Sequence, residues 1–171
     1  MPCPGRWRWL GARCDMARSA REKPLPPAQP HAMAALMSPP GRNREEAIAR
    51  AVEVGRVIGS PGFPQDAEVA AARAARDYDR SAYPDGVSRQ MAAVVAHGNR
   101  RPRLERLSVP ALVIHGAADP LVPVEAGHDT HEALAGSELL VIEGMGHDLP
   151  EGVWPPIVEA VAGLTRRVEA P

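Results

Sequence analysis

VPALVIHGAADPLVPVEAGHDTHEALAGSELLVIEGMGHDLP, from Val109 to Pro150, decides how this chain folds. It holds two short apolar runs, VPALVIH at Val109–His115 and ELLVI at Glu138–Ile142. Each is too short for a stable helix, and each is soon followed by glycine, so both read as strands. Their apolar residues are continuous rather than alternating, which predicts burial on both faces. Between them Val124–Leu134 has helical character and is closed by Gly136. A helix linking two buried strands predicts a parallel pair with a right-handed crossover. A last helix is expected over Val153–Val168, with Pro155 and Pro156 tolerated in its first turn. The order is β-α-β-α, an α/β pattern. Two strands cannot cover both of their own faces, so the pattern predicts a partial fold whose central strands are missing.

The two strand ends carry the chemistry. Functional loops in an open parallel sheet gather beyond the carboxyl ends of its strands. Asp119 lies four residues past His115, and His147 five residues past Ile142, so both emerge at the same edge. A carboxylate there can accept the imidazole Nδ1–H, fix the tautomer and stabilise the imidazolium, leaving Nε2 to take a proton from a nucleophile. Gly144 and Gly146 permit a tight turn before the histidine, and Gly116 does the same before Asp119. Pro120 and Pro123 stiffen the acid's loop. Taken singly, Asp119 could cap a turn and His147 could be an ordinary loop histidine. Their pairing in this order favours the acid–base reading.

The rest of the chain is organised around that unit. Residues 1–23 show no helical or strand period, hold both cysteines (Cys3 and Cys14) and read as a disordered or artefactual leader. Six basic residues against two acidic ones give that leader +4 and leave −5 for the remainder of a chain whose net charge is −1. No general attraction to nucleic acid is expected from that balance. Two leader cysteines make neither a disulfide framework nor a metal site. No stretch approaches the roughly 20 apolar residues of a membrane span, and the leader lacks the core of a secretory signal. The chain therefore reads as cytoplasmic, with no membrane or nucleic-acid partner.

Residues 24–42 are proline-rich at both ends and read as a linker with one helical turn at Met33–Met37. Residues 43–106 read as a helical layer. Its helices are expected at Arg44–Ile58, capped by Asn43, at Ala67–Tyr78, capped by Asp66, and at Gly86–His97, ended by Gly98. Residues 107–168 form the α/β portion. Among the other histidines, His115 suits a local hydrogen bond and His97 a helix C-terminus. His128 and His131, at i and i+3, suit a solvated helix face rather than a metal site.

These motifs resemble the late part of an α/β-hydrolase. In that family the acid follows a late strand in a G-x-x-D-x-x-x-P setting, here Gly116, Asp119 and Pro123. The histidine follows the last strand in G-x-G-H, here Gly144, Gly146 and His147. The helices between Arg44 and Gly98, with RSAYP at Arg80–Pro84, are similar to the lid that many members insert before the late strands. Their wording is similar to that of polyketide methyl esterases of the aclacinomycin type. The resemblance implies a carboxylic ester hydrolase with Asp119 as acid and His147 as base, acting without cofactor or metal on a small-molecule ester. It implies that Met91, Val94 and Val95 help line an apolar substrate pocket. Epoxide hydrolases, haloperoxidases and C–C hydrolases use related late loops, so the bond cleaved stays open.

The chain also departs from the family. No G-x-S-x-G nucleophile elbow is present. The nearest approach, Ile58-Gly59-Ser60-Pro61-Gly62, has isoleucine in place of the first glycine and follows a helix, so Ser60 reads as a turn residue. The early His-Gly loop that would supply an oxyanion N–H is absent too. The expectation is a truncated chain, inactive alone, that contributes two members of a Ser–Asp–His triad. The alternatives are a non-catalytic fragment, or half of a split hydrolase that meets a separately encoded N-terminal half, with the Arg44–His97 layer as an interaction module.

Overall fold

A computed structural model describes residues 25–169. The leader at 1–23, with its cysteines, lies outside the described residues. Seven helices and two strands follow one another in the described chain: α1 (Pro30–Leu36), α2 (Arg44–Ile58), α3 (Ala67–Arg80), α4 (Pro84–His97), α5 (Arg101–Leu104), β1 (Leu112–Gly116), α6 (Val124–Ala133), β2 (Glu138–Ile142) and α7 (Trp154–Glu169). A single 3-10 turn, Glu151–Val153, leads into α7.

Local chemistry sets most of these boundaries. The Asn43 side chain accepts the Glu46 N–H at 2.9 Å and starts α2. Glu45 and Glu46 sit at the positive end of that helix and Arg56 at its negative end. Asp66 accepts from Glu68 N and Val69 N to start α3. Pro84 opens α4, where its missing N–H costs nothing, and Gly98 ends it with φ of 64°. Hydrogen bonding carries α3 two residues past the expected Tyr78, and α4 begins two residues before the expected Gly86. The short α5 has no sequence expectation behind it. Its Arg101 ties it to α6 through Asp129, at 2.6 Å.

β1 and β2 pair in parallel, Leu112 opposite Glu138 through Gly116 opposite Ile142. The expected parallel pair is thus present. α6, which connects the strands, packs on both of them, and α7 packs on β1. The expected burial on both faces is not observed. Leu112, Val113 and Ile114 are half-buried, and only His115 and Gly116 at the carboxyl end are buried. Among the described residues each strand has one strand partner, so too little surrounds the first residues of the run to cover them.

The core sits at the carboxyl end of the sheet. Ile142, Met145 and the fully buried Val153 pack with Ile114, Leu140 and Ile157, and with Phe63 from the segment after α2. The helical layer is thinner. α2 and α3 contain no buried residue. They pack on each other and are joined by a forked Arg44–Asp79 pair at 2.7 and 2.8 Å. Arg50 binds the Leu36 and Ser38 carbonyls and fastens the end of α1 to α2.

Candidate active site

Asp119 and His147 meet. Gly116 ends β1, and a short turn brings Asp119 to a position where only 8 % of its surface is exposed. Its two carboxylate oxygens have separate partners. Oδ1 accepts the backbone N–H groups of Leu121 (2.9 Å) and Val122 (2.8 Å), which fixes the loop ahead of α6. Oδ2 accepts Nδ1–H of His147 at 2.8 Å. Turn-capping and imidazole-binding, posed by the sequence as alternatives, are thus both satisfied by one side chain.

The electrostatics follow from this environment. Burial pushes the Asp119 carboxyl up. The His147 hydrogen bond, the Val122 N–H, the imidazole charge and the Leu121 N–H oppose it, and the result lies below the usual carboxylate range. Asp119 is therefore ionised at neutral pH despite its burial.

The histidine loop turns at Gly144, where φ is +70°. That conformation is open to glycine and strained for other residues. A Cβ there would also lie 2.9 Å from Gly62 Cα. Ala117 N–H bonds to Ile142 O and Ala118 N–H to Met145 O, so the acid loop and the histidine loop are laced together along their backbones. Gln29 N–H bonds to Pro120 O at 2.8 Å and attaches the segment before α1 to the acid loop.

The other sequence candidates fall elsewhere. His115 Nε2 lies 2.8 Å from Val122 O, the local hydrogen bond expected of it. His131 Nδ1 lies 2.8 Å from Ser137 Oγ, while His128 is exposed. Met91 and Val94 of α4 are half-buried and Val95 is exposed, and among the described residues α4 does not pack extensively on β1, β2 or α6. Ser60 is buried. Its hydroxyl donates to Asp148 Oδ1 at 2.5 Å and accepts from Gly146 N at 2.8 Å. The sequence pointed to a turn at Ser60 but not to this link with the histidine loop. Its only signal was the Gly-Ser-Pro-Gly turn itself. An open depression of about 440 Å³, lined by Ser108, Val109, Pro110 and Glu138 among others, lies at the opposite end of the strands from Asp119 and His147.

Residues 87–163 match a family model of α/β-hydrolase type, Abhydrolase_4, described as TAP-like protein. The chain is similar to part of an α/β-hydrolase. Over 149 residues it is 28 % identical to the rhodomycin D methylesterase of Streptomyces peucetius, covering 84 % of this chain and 48 % of that protein. The rhodomycin D methylesterase of Streptomyces sp. strain C5 matches to the same extent. The hydrolase-like chain thus spans about half the length of the curated relatives it matches.

Its fold is similar to that of solved hydrolases. A meta-cleavage product hydrolase from Pseudomonas fluorescens IP01 aligns with a TM-score of 0.60 at 16 % identity, covering 90 % of this chain and 53 % of that one. The 2-hydroxy-6-oxo-6-phenylhexa-2,4-dienoate hydrolase of Rhodococcus sp. RHA1 aligns with a TM-score of 0.57 at 20 % identity, covering 84 % and 51 %. Among the described residues, no helix of the hydrolase-like chain is long and apolar enough to cross a membrane.

Proposed function

We propose that this chain supplies the acid and the base of a serine-type carboxylic ester hydrolase whose nucleophile resides in the preceding half of the complete fold. The observation that carries the reading is the 2.8 Å hydrogen bond from His147 Nδ1 to the buried Asp119 carboxylate. It commits the imidazole to the tautomer in which Nε2 bears the lone pair. In the complete site a serine hydroxyl gives its proton to Nε2 as its oxygen attacks the ester carbonyl. The imidazolium, stabilised by Asp119, returns that proton to the departing alcohol. Water then cleaves the acyl-enzyme by the same route in reverse.

The 28 % identity to two methylesterases supports an ester as substrate. Met91, Val94 and Val95 of α4 would contribute apolar lining for its acyl part. The missing central strands would come from the same preceding half, encoded in the same polypeptide or separately. β1 and β2 have one strand partner each among the described residues, which supports further strands beside them.

Labelling with a fluorophosphonate tests the proposal. The N-terminal half of the Streptomyces peucetius methylesterase, joined ahead of residues 25–169 of this chain, should have its serine phosphonylated. His147→Ala should abolish that labelling. Equal labelling of wild type and His147→Ala would remove His147 from the role of base.

A further inference from the structure

The histidine loop is held by a segment that the triad chemistry does not use. Five hydrogen bonds join the last residue of α2 and the turn after it to residues 144–148. Gly62 N–H donates to Gly144 O at 2.9 Å and His147 N–H to Ile58 O at 2.8 Å. Gly146 N–H donates to Ser60 Oγ at 2.8 Å, Ser60 Oγ–H to Asp148 Oδ1 at 2.5 Å, and Gln65 Nε2 to Asp148 Oδ2 at 3.1 Å. The two backbones touch through glycines. A Cβ on Gly62 would lie 2.8 Å from Gly144 Cα, and one on Gly146 would collide with Gly59 O. Phe63, next in the chain, packs into the core formed by Ile142, Met145 and Val153.

Ser60 is central to this clasp. Its hydroxyl, 7 % exposed as a residue, binds one neighbour of His147 on each side: the backbone of Gly146 and the side chain of Asp148. It uses its one donor and an acceptor site at the same time. Alanine at this position would leave the buried Gly146 N–H without its acceptor and Asp148 Oδ1 without its donor, with Gln65 still bound to Oδ2.

We propose that Ser60 is a positioning residue for His147, holding the loop so that the imidazole meets Asp119, and that the end of α2 thereby couples the helical layer to the base. This rests on the acid–base reading of Asp119 and His147. The proposal places Ser60 outside the reacting atoms. It acts through the loop backbone.

Nuclear magnetic resonance on the full chain, labelled with 15N, tests it with two readouts. Amide exchange reports on the clasp: Ser60→Ala should speed exchange at Gly146 and His147 by about tenfold or more, the scale of one lost hydrogen bond, while β1 amides stay unchanged. The low-field Nδ1 proton of His147 reports on positioning. It should be lost or exchange-broadened in Ser60→Ala and retained in Ser60→Thr, which keeps the hydroxyl. The His131 ring, bonded to Ser137, serves as the internal control. If Ser60→Ala fails to fold, Asp148→Ala decides, because it removes the hydroxyl's acceptor from the other side and should broaden the same proton. An unchanged His147 proton in folded Ser60→Ala overturns the proposal, whether or not Gly146 exchange speeds up. Asp119→Asn separates the two levels. A His147 proton that survives Asp119→Asn sinks the acid–base reading, whereas the Gly146 exchange still judges the clasp.

Discussion

At the residue scale, the chemistry is concentrated in the division of labour on one carboxylate. Asp119 holds its own loop with Oδ1 and the imidazole with Oδ2. Its folded-state titration lies below that of an ordinary carboxylate. The sign follows directly. A carboxyl that is more acidic when folded contributes stability that is fully present above the unfolded value, near pH 4, and that is lost as pH falls through the lower folded value. Thermal melting between pH 2 and pH 6 should therefore show a steeper acid loss in the wild type than in Asp119→Asn. Parallel curves would mean that the Asp119 contacts contribute nothing. Both members of the pair were legible in the sequence, because each follows a β-branched or leucine-rich run by a few residues and has glycines where the loop must turn. Ser60 was legible only as part of a turn. Its link to Asp148 spans 88 positions, and no local pattern carries information over that distance.

At the element scale, caps and core do different work. Asn43→Ala removes the acceptor at the start of α2 and should cost about 1 kcal/mol in urea denaturation. Val153 is fully buried where the 3-10 turn meets α7. Val153→Ala deletes two methyl groups from the only fully buried large side chain among the described residues, and should cost about 2 kcal/mol, transfer and cavity combined. A loss under about 0.5 kcal/mol would mean that the cluster around Ile142 and Met145 is not the stabilising core. Helices α2, α6 and α7 and strand β2 were legible within about two residues, since their caps and breakers are local. β1 was read as starting at Val109, but Pro110 has no N–H for a ladder and pairing begins at Leu112. α5 was not legible. It is a single turn whose Arg101 is fixed by Asp129 of α6, a contact 28 residues away.

At the scale of the whole molecule, the described chain is a well-laced corner of a hydrolase-like fold under a thinly buried helical layer. Its stability is expected to lie in the corner. Gly144→Val adds side-chain strain at a φ of +70° and meets Gly62, so it should loosen the corner and the turn after α2 together. Native-state hydrogen exchange would show both segments opening as one unit, whereas separate opening would mean that the clasp does not couple them. The parallel pair and the site's edge were legible because they follow from the order of local elements. The half-burial of β1 was not, because burial depends on what surrounds a strand.

The most direct measurement is the kcat/KM for a p-nitrophenyl ester of the chimera in which the methylesterase N-terminal half precedes residues 25–169. Measurable turnover is expected, with a loss of about a thousandfold or more in His147→Ala and a large loss in Asp119→Asn, as when a histidine is left without its orienting carboxylate. Full turnover in both variants, or none in a folded wild-type chimera, would contradict the proposed function.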